Sequence, residues 1–281
     1  MTRPLPEGQY AELSNGMRLH YIDSKPVQGT PIETLLFIQG SGPGASGWSN
    51  FQHNIPAFVA AGYRAITIDL PGYGFSGKPT DAIYSLDYFV NYLHELVDLL
   101  EIPRLTLIGN SLGGAIAMGF ALQHPTRTTR LILMAAGGLE EREVYFATKG
   151  IQAMVKYPMG SAEFTKDVLR QLLSLLVFDP VHVTDQLVDE RWQVLQLQNP
   201  QVLASMQIPN LADQLPKLTV PVLAFWGTGD LFCPVSGAQI LANHCTNAQI
   251  HTLTGCGHWV MVEHTDYFNR QCLDFLTHTP V

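Results

Sequence analysis

The sequence predicts an α/β fold, with a mostly parallel, doubly wound sheet of about eight strands that carries helices on both faces and an inserted helical lid. Three observations lead there. Short apolar runs bounded by glycine or proline recur along the chain, amphipathic segments separate them, and this alternation lapses once, between about Gly138 and Leu211. At 281 residues the chain is long for one core, yet α/β sheets of this size often form a single domain with an insertion. The expected organisation is a core of residues 1–137 and 212–281 and a lid of residues 138–211.

Asn15-Gly16 lies between mildly alternating flanks in Ala11–Asp23, a strong hairpin signal that should open the sheet. The runs Thr34–Gln39, Arg64–Leu70, Leu105–Gly109, Leu131–Ala135, Val222–Trp226 and Gln249–Leu253 are too short for helices. Most do not alternate, as doubly covered parallel strands require. Among the helical segments the clearest places Leu86, Phe89, Val90, Leu93, Leu96, Val97 and Leu100 on one stripe, with Ser85 as N-cap and Pro103 beyond its end. In the lid, Phe164, Val168, Leu172, Leu175 and Leu176 form a similar stripe, and its Leu, Met, Phe and Val content suits a cover over an apolar pocket. Leu105–Leu122 is long and uncharged, but four glycines and a sharp turn signal make it buried strand, turn and buried helix rather than a membrane span.

Only 14% of residues are charged, while 46% are apolar, which excludes disorder and supplies a large core. Sixteen basic against 24 acidic residues leave a net charge of −8, so neither nucleic acid nor a membrane surface is an expected partner. Low surface charge predicts apolar patches that a homo-oligomer would cover. Cys233, Cys245, Cys256 and Cys272 show no zinc or disulfide spacing and read as buried thiols of a cytoplasmic protein. The stretch Met1–Gly8 has no apolar core of a secretory signal, which agrees with that expectation.

Chemistry concentrates at Gly109-Asn110-Ser111-Leu112-Gly113-Gly114, between a strand and an apolar helix, the context of a Gly-x-Ser-x-Gly nucleophile elbow. Small residues are needed there because the serine sits in a strained, crowded turn that pushes its Oγ outward. The helix amino terminus and the Leu112 N–H can stabilise an anion at the same point. A serine hydroxyl needs a base. His258, in the loop Gly255-Cys256-Gly257-His258-Trp259 after the last strand, fits better than His264, which falls at the start of the final helix. Asp230, just past Val222–Trp226, can orient the imidazole. The loop Gln39-Gly40-Ser41-Gly42-Pro43-Gly44 follows a strand and offers the Ser41 N–H as a second oxyanion donor.

Two rivals are weaker. Gly42-Pro43-Gly44-Ala45-Ser46-Gly47 matches a dinucleotide fingerprint with Asp69 as a ribose ligand, but Pro43 stiffens the loop and the serine elbow would go unexplained. Metal catalysis lacks an H-E-x-x-H motif, and no cofactor is called for.

Taken together, the chain resembles the α/β-hydrolase family, and within it the meta-cleavage-product hydrolases of bacterial aromatic degradation, almost end to end. The resemblance rests on Ser41-Gly42-Pro43-Gly44-Ala45, Gly47-Trp48-Ser49-Asn50, Gly109 to Gly114, Leu131-Ile132-Leu133-Met134, Glu190-Arg191-Trp192 and Gly257-His258-Trp259. Asparagine before the serine is the telling residue, and a serine at the elbow argues against the branches that use aspartate. The resemblance implies hydrolysis of a carbon–carbon bond in an anionic 2-hydroxy-6-oxo-hexa-2,4-dienoate-type compound. It also implies that Ser111, Asp230 and His258 form a triad, that Ser41 and Leu112 donate oxyanion N–H groups, and that Gly42, Asn50, Asn110, Arg191 and Trp259 hold the dienoate head. Gln39 departs from the pattern, since the family usually carries His there. A carboxylesterase or thioesterase on the same fold would need the triad but not Arg191 or Asn110, and a non-catalytic binding protein would have no use for a strained elbow.

Overall fold

The computed structural model describes Leu5 and residues 7–279; the amino-terminal stretch read above for a secretory signal lies mostly outside them. Eight strands pair in the order β1-β2-β4-β3-β5-β6-β7-β8. Strands β1 (Gln9–Glu12) and β2 (Arg18–Ser24) form the amino-terminal hairpin. Its Asn15-Gly16 turn is built as expected, with Gly16 at φ 79°, although the loop spans residues 13–17 rather than two residues. Strand β3 (Thr34–Ile38) leads through the short helices α1 (Gly47–Phe51) and α2 (Ile55–Ala60) to β4 (Arg64–Ile68). Helix α3 (Leu86–Leu99) starts at Ser85, whose hydroxyl accepts the Tyr88 N–H as its N-cap. Strand β5 (Leu105–Asn110) turns directly into α4 (Leu112–Gln123), followed by β6 (Thr128–Met134).

Between β6 and β7 (Val222–Gly227) lie the helices α5 (Arg142–Phe146), α6 (Lys149–Lys156), α7 (Lys166–Ser174) and α8 (Asp185–Leu195), and no strand. Helix α9 (Ser236–His244), strand β8 (Ala248–Leu253) and helices α10 (Val260–Glu263) and α11 (Thr265–His278) complete the chain. The β1–β2 and β2–β4 pairings are antiparallel, and from β4 onward across the sheet all pairings are parallel.

Successive residues of a strand point to opposite faces, so one apolar run feeds two cores. In β3, Leu36 and Ile38 pack with α3 and α4, whereas Leu35 and Phe37 pack with Phe51, Phe58 and the aromatic face of α11. Every residue of β5, β6 and β7 is buried, and Leu112 to Ala121 of α4 are buried as well. Strand β8 corrects the expectation of double cover: it is the sheet's edge, and none of its residues is fully buried. The α7 stripe is also displaced. Leu169, Leu172, Leu173 and Leu176 are buried while Val168 and Leu175 are only half-buried, because Phe164 precedes the helix and does not share its phase.

The site depends on how tightly α4 enters the sheet. A Cβ on Gly113 would collide with the Ile38 carbonyl oxygen, and one on Gly109 with the Gly113 carbonyl. Backbone carbonyls in a close-packed core cannot move aside cheaply. Gly113→Ala is therefore expected to lower the unfolding free energy by about 1–3 kcal/mol, measured by urea denaturation; unchanged stability would show that the contact is not tight.

Candidate active site

Ser111 alone connects β5 to α4, at φ 56° and ψ −117°. Positive φ is costly for a residue with a Cβ and persists only where the surroundings over-determine it. Here they do. The Ser111 N–H donates to Met134 O at 3.0 Å, and the Ser111 carbonyl accepts N–H bonds from Gly114, Ala115 and Gly137. The strained residue is thus bonded to the end of β6 and to its own helix.

His258 lies in the loop after β8, its Nδ1 2.7 Å from Asp230 Oδ2. The other carboxylate oxygen, Oδ1, accepts the N–H groups of Phe232 at 2.7 Å and Cys233 at 3.0 Å, so the acid is held on both oxygens. Both side chains are almost wholly buried, 3% exposed for His258 and 0% for Asp230. A proton on Nδ1 shared with the carboxylate leaves Nε2 as an acceptor. His258 and Ser111 line the same small cavity of about 50 Å³. Cys233 lines the same cavity, and no Ser111–His258 hydrogen bond forms in this conformation. Such bonds commonly tighten only when substrate arrives.

The backbone of the imidazole loop is fastened to the β6–β7 connection. Leu176 O accepts the His258 N–H at 2.8 Å and the Trp259 N–H at 3.2 Å. Glu263 adds a second tie: Oε1 accepts the Gly257 N–H at 2.6 Å and Oε2 the Phe178 N–H at 2.6 Å.

The residues expected to hold an anionic head also converge. Gly42, Asn50, Asn110, Arg191 and Trp259 line the cavity with Ser41, Ser111 and His258. Arg191 is 1% exposed, donates from Nη2 to Asn50 Oδ1 at 2.8 Å, and lies over the Trp259 ring at 4.9 Å. Asn110 Nδ2 donates to Met134 O at 3.1 Å and to His258 O at 3.4 Å, while its Oδ1 accepts from Asn50 Nδ2 at 3.4 Å. Glu190, the neighbour that could have neutralised Arg191, instead accepts from Gln52 Nε2 and Gln186 Nε2. Burial pushes the Arg191 guanidinium down to about 9, with the charge of Glu190 opposing that shift. The guanidinium Nε has no partner.

Among the described residues the backbone N–H groups of Ser41 and Leu112 donate to no group. Both residues also border a second chamber of about 1120 Å³, whose walls include Ile151, Met154, Tyr157, Met159 and Met206 from the β6–β7 connection. Two compartments therefore meet at Ser111, a small one that holds Arg191 with Asn50 and Asn110, and a large one whose lining includes Asp87, Glu140 and Glu141.

The dinucleotide alternative fails on the same page. Asp69 is 3% exposed and spends its carboxylate on the Gly47 and Phe75 N–H groups and His20 Nδ1, so it has nothing left for a ribose. Gln39 is fully buried, and neither side-chain amide atom has a partner. Cysteine burial is less complete than expected, since Cys245 is only half-buried. Sequence reasoning missed Cys233 beside the serine, Phe232 with its ring 5.3 Å from the imidazole, and the Leu176 carbonyl. The first two lie three and two residues after Asp230, and the turn whose N–H groups bond the aspartate brings them to the site.

Among the described residues no three His, Cys, Asp or Glu side chains are grouped to hold a metal ion, and no helix is long and apolar enough to cross a membrane.

The fold and the strained serine at its strand–helix turn define a class, and the family comparison agrees: the chain belongs to the α/β hydrolase family, whose profile matches residues 35–271. More narrowly, it is 38% identical to the 2-hydroxy-6-oxononadienedioate/2-hydroxy-6-oxononatrienedioate hydrolase of Comamonas testosteroni over 87% of each chain. It is 37% identical to the 2-hydroxy-6-oxo-6-phenylhexa-2,4-dienoate hydrolase of Burkholderia cepacia, covering 94% of this chain and 92% of the relative. Among solved structures, the meta-cleavage product hydrolase of Pseudomonas fluorescens IP01 superposes with a TM-score of 0.82 at 29% identity, covering 96% of this chain and 97% of that one. An esterase from Rhodococcus sp. ECU1013 reaches a TM-score of 0.83 at 19% identity, over 96% of this chain and 98% of its own, and shares the fold alone.

The Glu263 tie is open to a direct check. Glu263→Gln weakens charge-assisted bonds to Gly257 and Phe178, so a loss of about 1.5–3 kcal/mol in denaturant stability is expected; a neutral result would mean that water replaces the carboxylate at no cost.

Proposed function

We propose that the protein hydrolyses the carbon–carbon bond of 2-hydroxy-6-oxo-hexa-2,4-dienoate-type ring-fission products, releasing 2-hydroxypenta-2,4-dienoate and a carboxylic acid. The observation that carries this reading is Arg191. A guanidinium sealed from water without a carboxylate partner is expensive, and an anionic ligand is what would repay it. The names of the relatives point to the same substrate class.

On this reading the substrate carboxylate sits on Arg191 in the small cavity, with Trp259 behind it and Gly42 leaving open space beside it. Asn50 and Asn110 hydrogen-bond the 2-oxo oxygen as the dienol becomes a keto tautomer. Without that ketonisation the departing carbon is a poor leaving group. His258, oriented by Asp230, carries the proton transfers, and Ser111 or a water that His258 activates attacks the distal carbonyl. The oxyanion that forms is met by the unpaired N–H groups of Ser41 and Leu112 at the start of α4. Carbon–carbon cleavage then expels the dienoate; after attack by Ser111 a water hydrolyses the acyl-enzyme to free the acid, whereas after attack by water the acid is released directly. The helical segment of residues 138–211 acts as a lid over the tail of the substrate. The free cysteines support a reducing, cytoplasmic setting.

Purified protein given a yellow ring-fission dienoate is expected to bleach it far faster than it turns over a p-nitrophenyl ester. The opposite preference would make it an esterase or thioesterase instead. Ser111→Ala should reduce dienoate turnover by several orders of magnitude while the variant still folds and binds ligand, which single-turnover spectra and thermal melts would separate.

A pH profile separates the readings further. A guanidinium is charged below its pKa and neutral above it, so anion binding is present at neutral pH and lost as pH rises through about 9. The kcat/KM for a dienoate should fall along that limb, whereas a neutral ester should show no such fall. Arg191→Gln should cost the dienoate about 10- to 100-fold in kcat/KM and spare the ester.

A further inference from the structure

The relatives divide over what lies beyond the scissile bond: one name specifies a dioate with a terminal carboxylate, another an uncharged phenyl group. The chamber beyond Ser111 distinguishes them. We propose that this protein selects substrates with a neutral, bulky apolar tail and rejects those whose tail ends in a carboxylate. The proposal rests on the carbon–carbon hydrolase reading and names the substrate class within it.

The argument is electrostatic. Asp87, Glu140 and Glu141 line the chamber, and among the described residues Arg142 is its only cationic lining residue. None of the three carboxylates is in an ion pair among the described residues. Their hydrogen-bond partners are neutral: Gln123 for Asp87, Ser236 for Glu140 and Asn210 for Glu141. Their charge therefore stays in place. Arg142 neutralises none of them; it is exposed and lies over the Phe146 ring at 4.8 Å. The Leu139 and Glu140 N–H groups both donate to Tyr145 Oη, which pins the acidic stretch to the chamber wall.

Among the described residues the chamber's lining holds no other cation that could receive a second carboxylate. The chamber's lining includes Leu112, Ala115, Ile151, Met154, Met159 and Ile208, and a volume of about 1120 Å³ accommodates a large group. The contrast with the small cavity is complete, because there a buried guanidinium awaits an anion. One end of the site attracts negative charge and the other repels it, so an elongated monoanion binds in a single orientation, whereas a dianion meets repulsion at its far end.

The test pairs two dienoates with the same head, one with a phenyl tail and one with a tail ending in a carboxylate. The phenyl compound is expected to show a kcat/KM at least about tenfold higher at low ionic strength, with the gap narrowing as salt is added, because exposed charges are screened. The double variant Glu140→Gln/Glu141→Gln should shrink that ratio at least about threefold. A partly unfolded variant would lower both rates and leave the ratio alone, so the ratio isolates charge from stability. Equal or better turnover of the carboxylate-tailed compound overturns the proposal, as does an unchanged ratio in the double variant. If neither dienoate is cleaved, the carbon–carbon reading itself has failed, and p-nitrophenyl hexanoate against the p-nitrophenyl half-ester of adipate tests the chamber independently. Preference for the hexanoate upholds neutral-tail selection, and equal turnover of the half-ester removes it.

Discussion

The site depends on one close approach: the first turn of α4 lies against the carboxyl end of β3, with the Gly113 Cα facing the Ile38 carbonyl. That contact sets where Ser111 stands, because the residue must span from β5 to a helix already seated on the neighbouring strand. It also sets what stands beside it. The loop carrying Ser41 and Gly42 leaves β3 at the same point, so two free N–H groups and a hydroxyl are brought together by packing of the backbone rather than by long side chains. Strain at Ser111 is tolerated because Met134, Gly114, Ala115 and Gly137 all bond the same residue.

Charge is distributed with equal economy. A chain with few charged residues buries a guanidinium beside its serine and uses neutral amides, a carbonyl and an indole to hold it. Well-packed apolar residues would be the more stable choice at such a position, which fits the binding role proposed for it. Asp230 is treated differently. Both of its oxygens are occupied, so its charge is stabilised locally while it steadies the imidazole.

Legibility in the sequence followed the kind of constraint at work. Strands β3 to β7 were readable because burial on both faces demands continuous apolar runs, and the elbow was readable because only glycine fits against a carbonyl. The same reasoning misjudged β8, whose composition resembles an inner strand although its edge position leaves it half exposed. It also set the α7 stripe one residue early, since Phe164 is apolar but lies before the helix and carries no phase information. Arg191, Asn50 and Trp259 were placed through resemblance rather than spacing, for they come from three distant segments that only the tertiary fold unites. Cys233 and Leu176 stayed hidden for a simpler reason: one merely lines the cavity and the other acts through a backbone carbonyl, and neither leaves a mark in residue type.

The Leu176 carbonyl deserves a last consideration, since it holds two consecutive peptide N–H groups of the loop that bears the imidazole. That part of the β6–β7 connection and the imidazole loop are joined by these two backbone bonds besides the Glu263 tie, so a shift in one is passed to the other. Substitutions near Leu176 that alter the course of its main chain would reach the reacting atoms without touching a ligand, and an inventory of side chains around the pocket would give no warning of it.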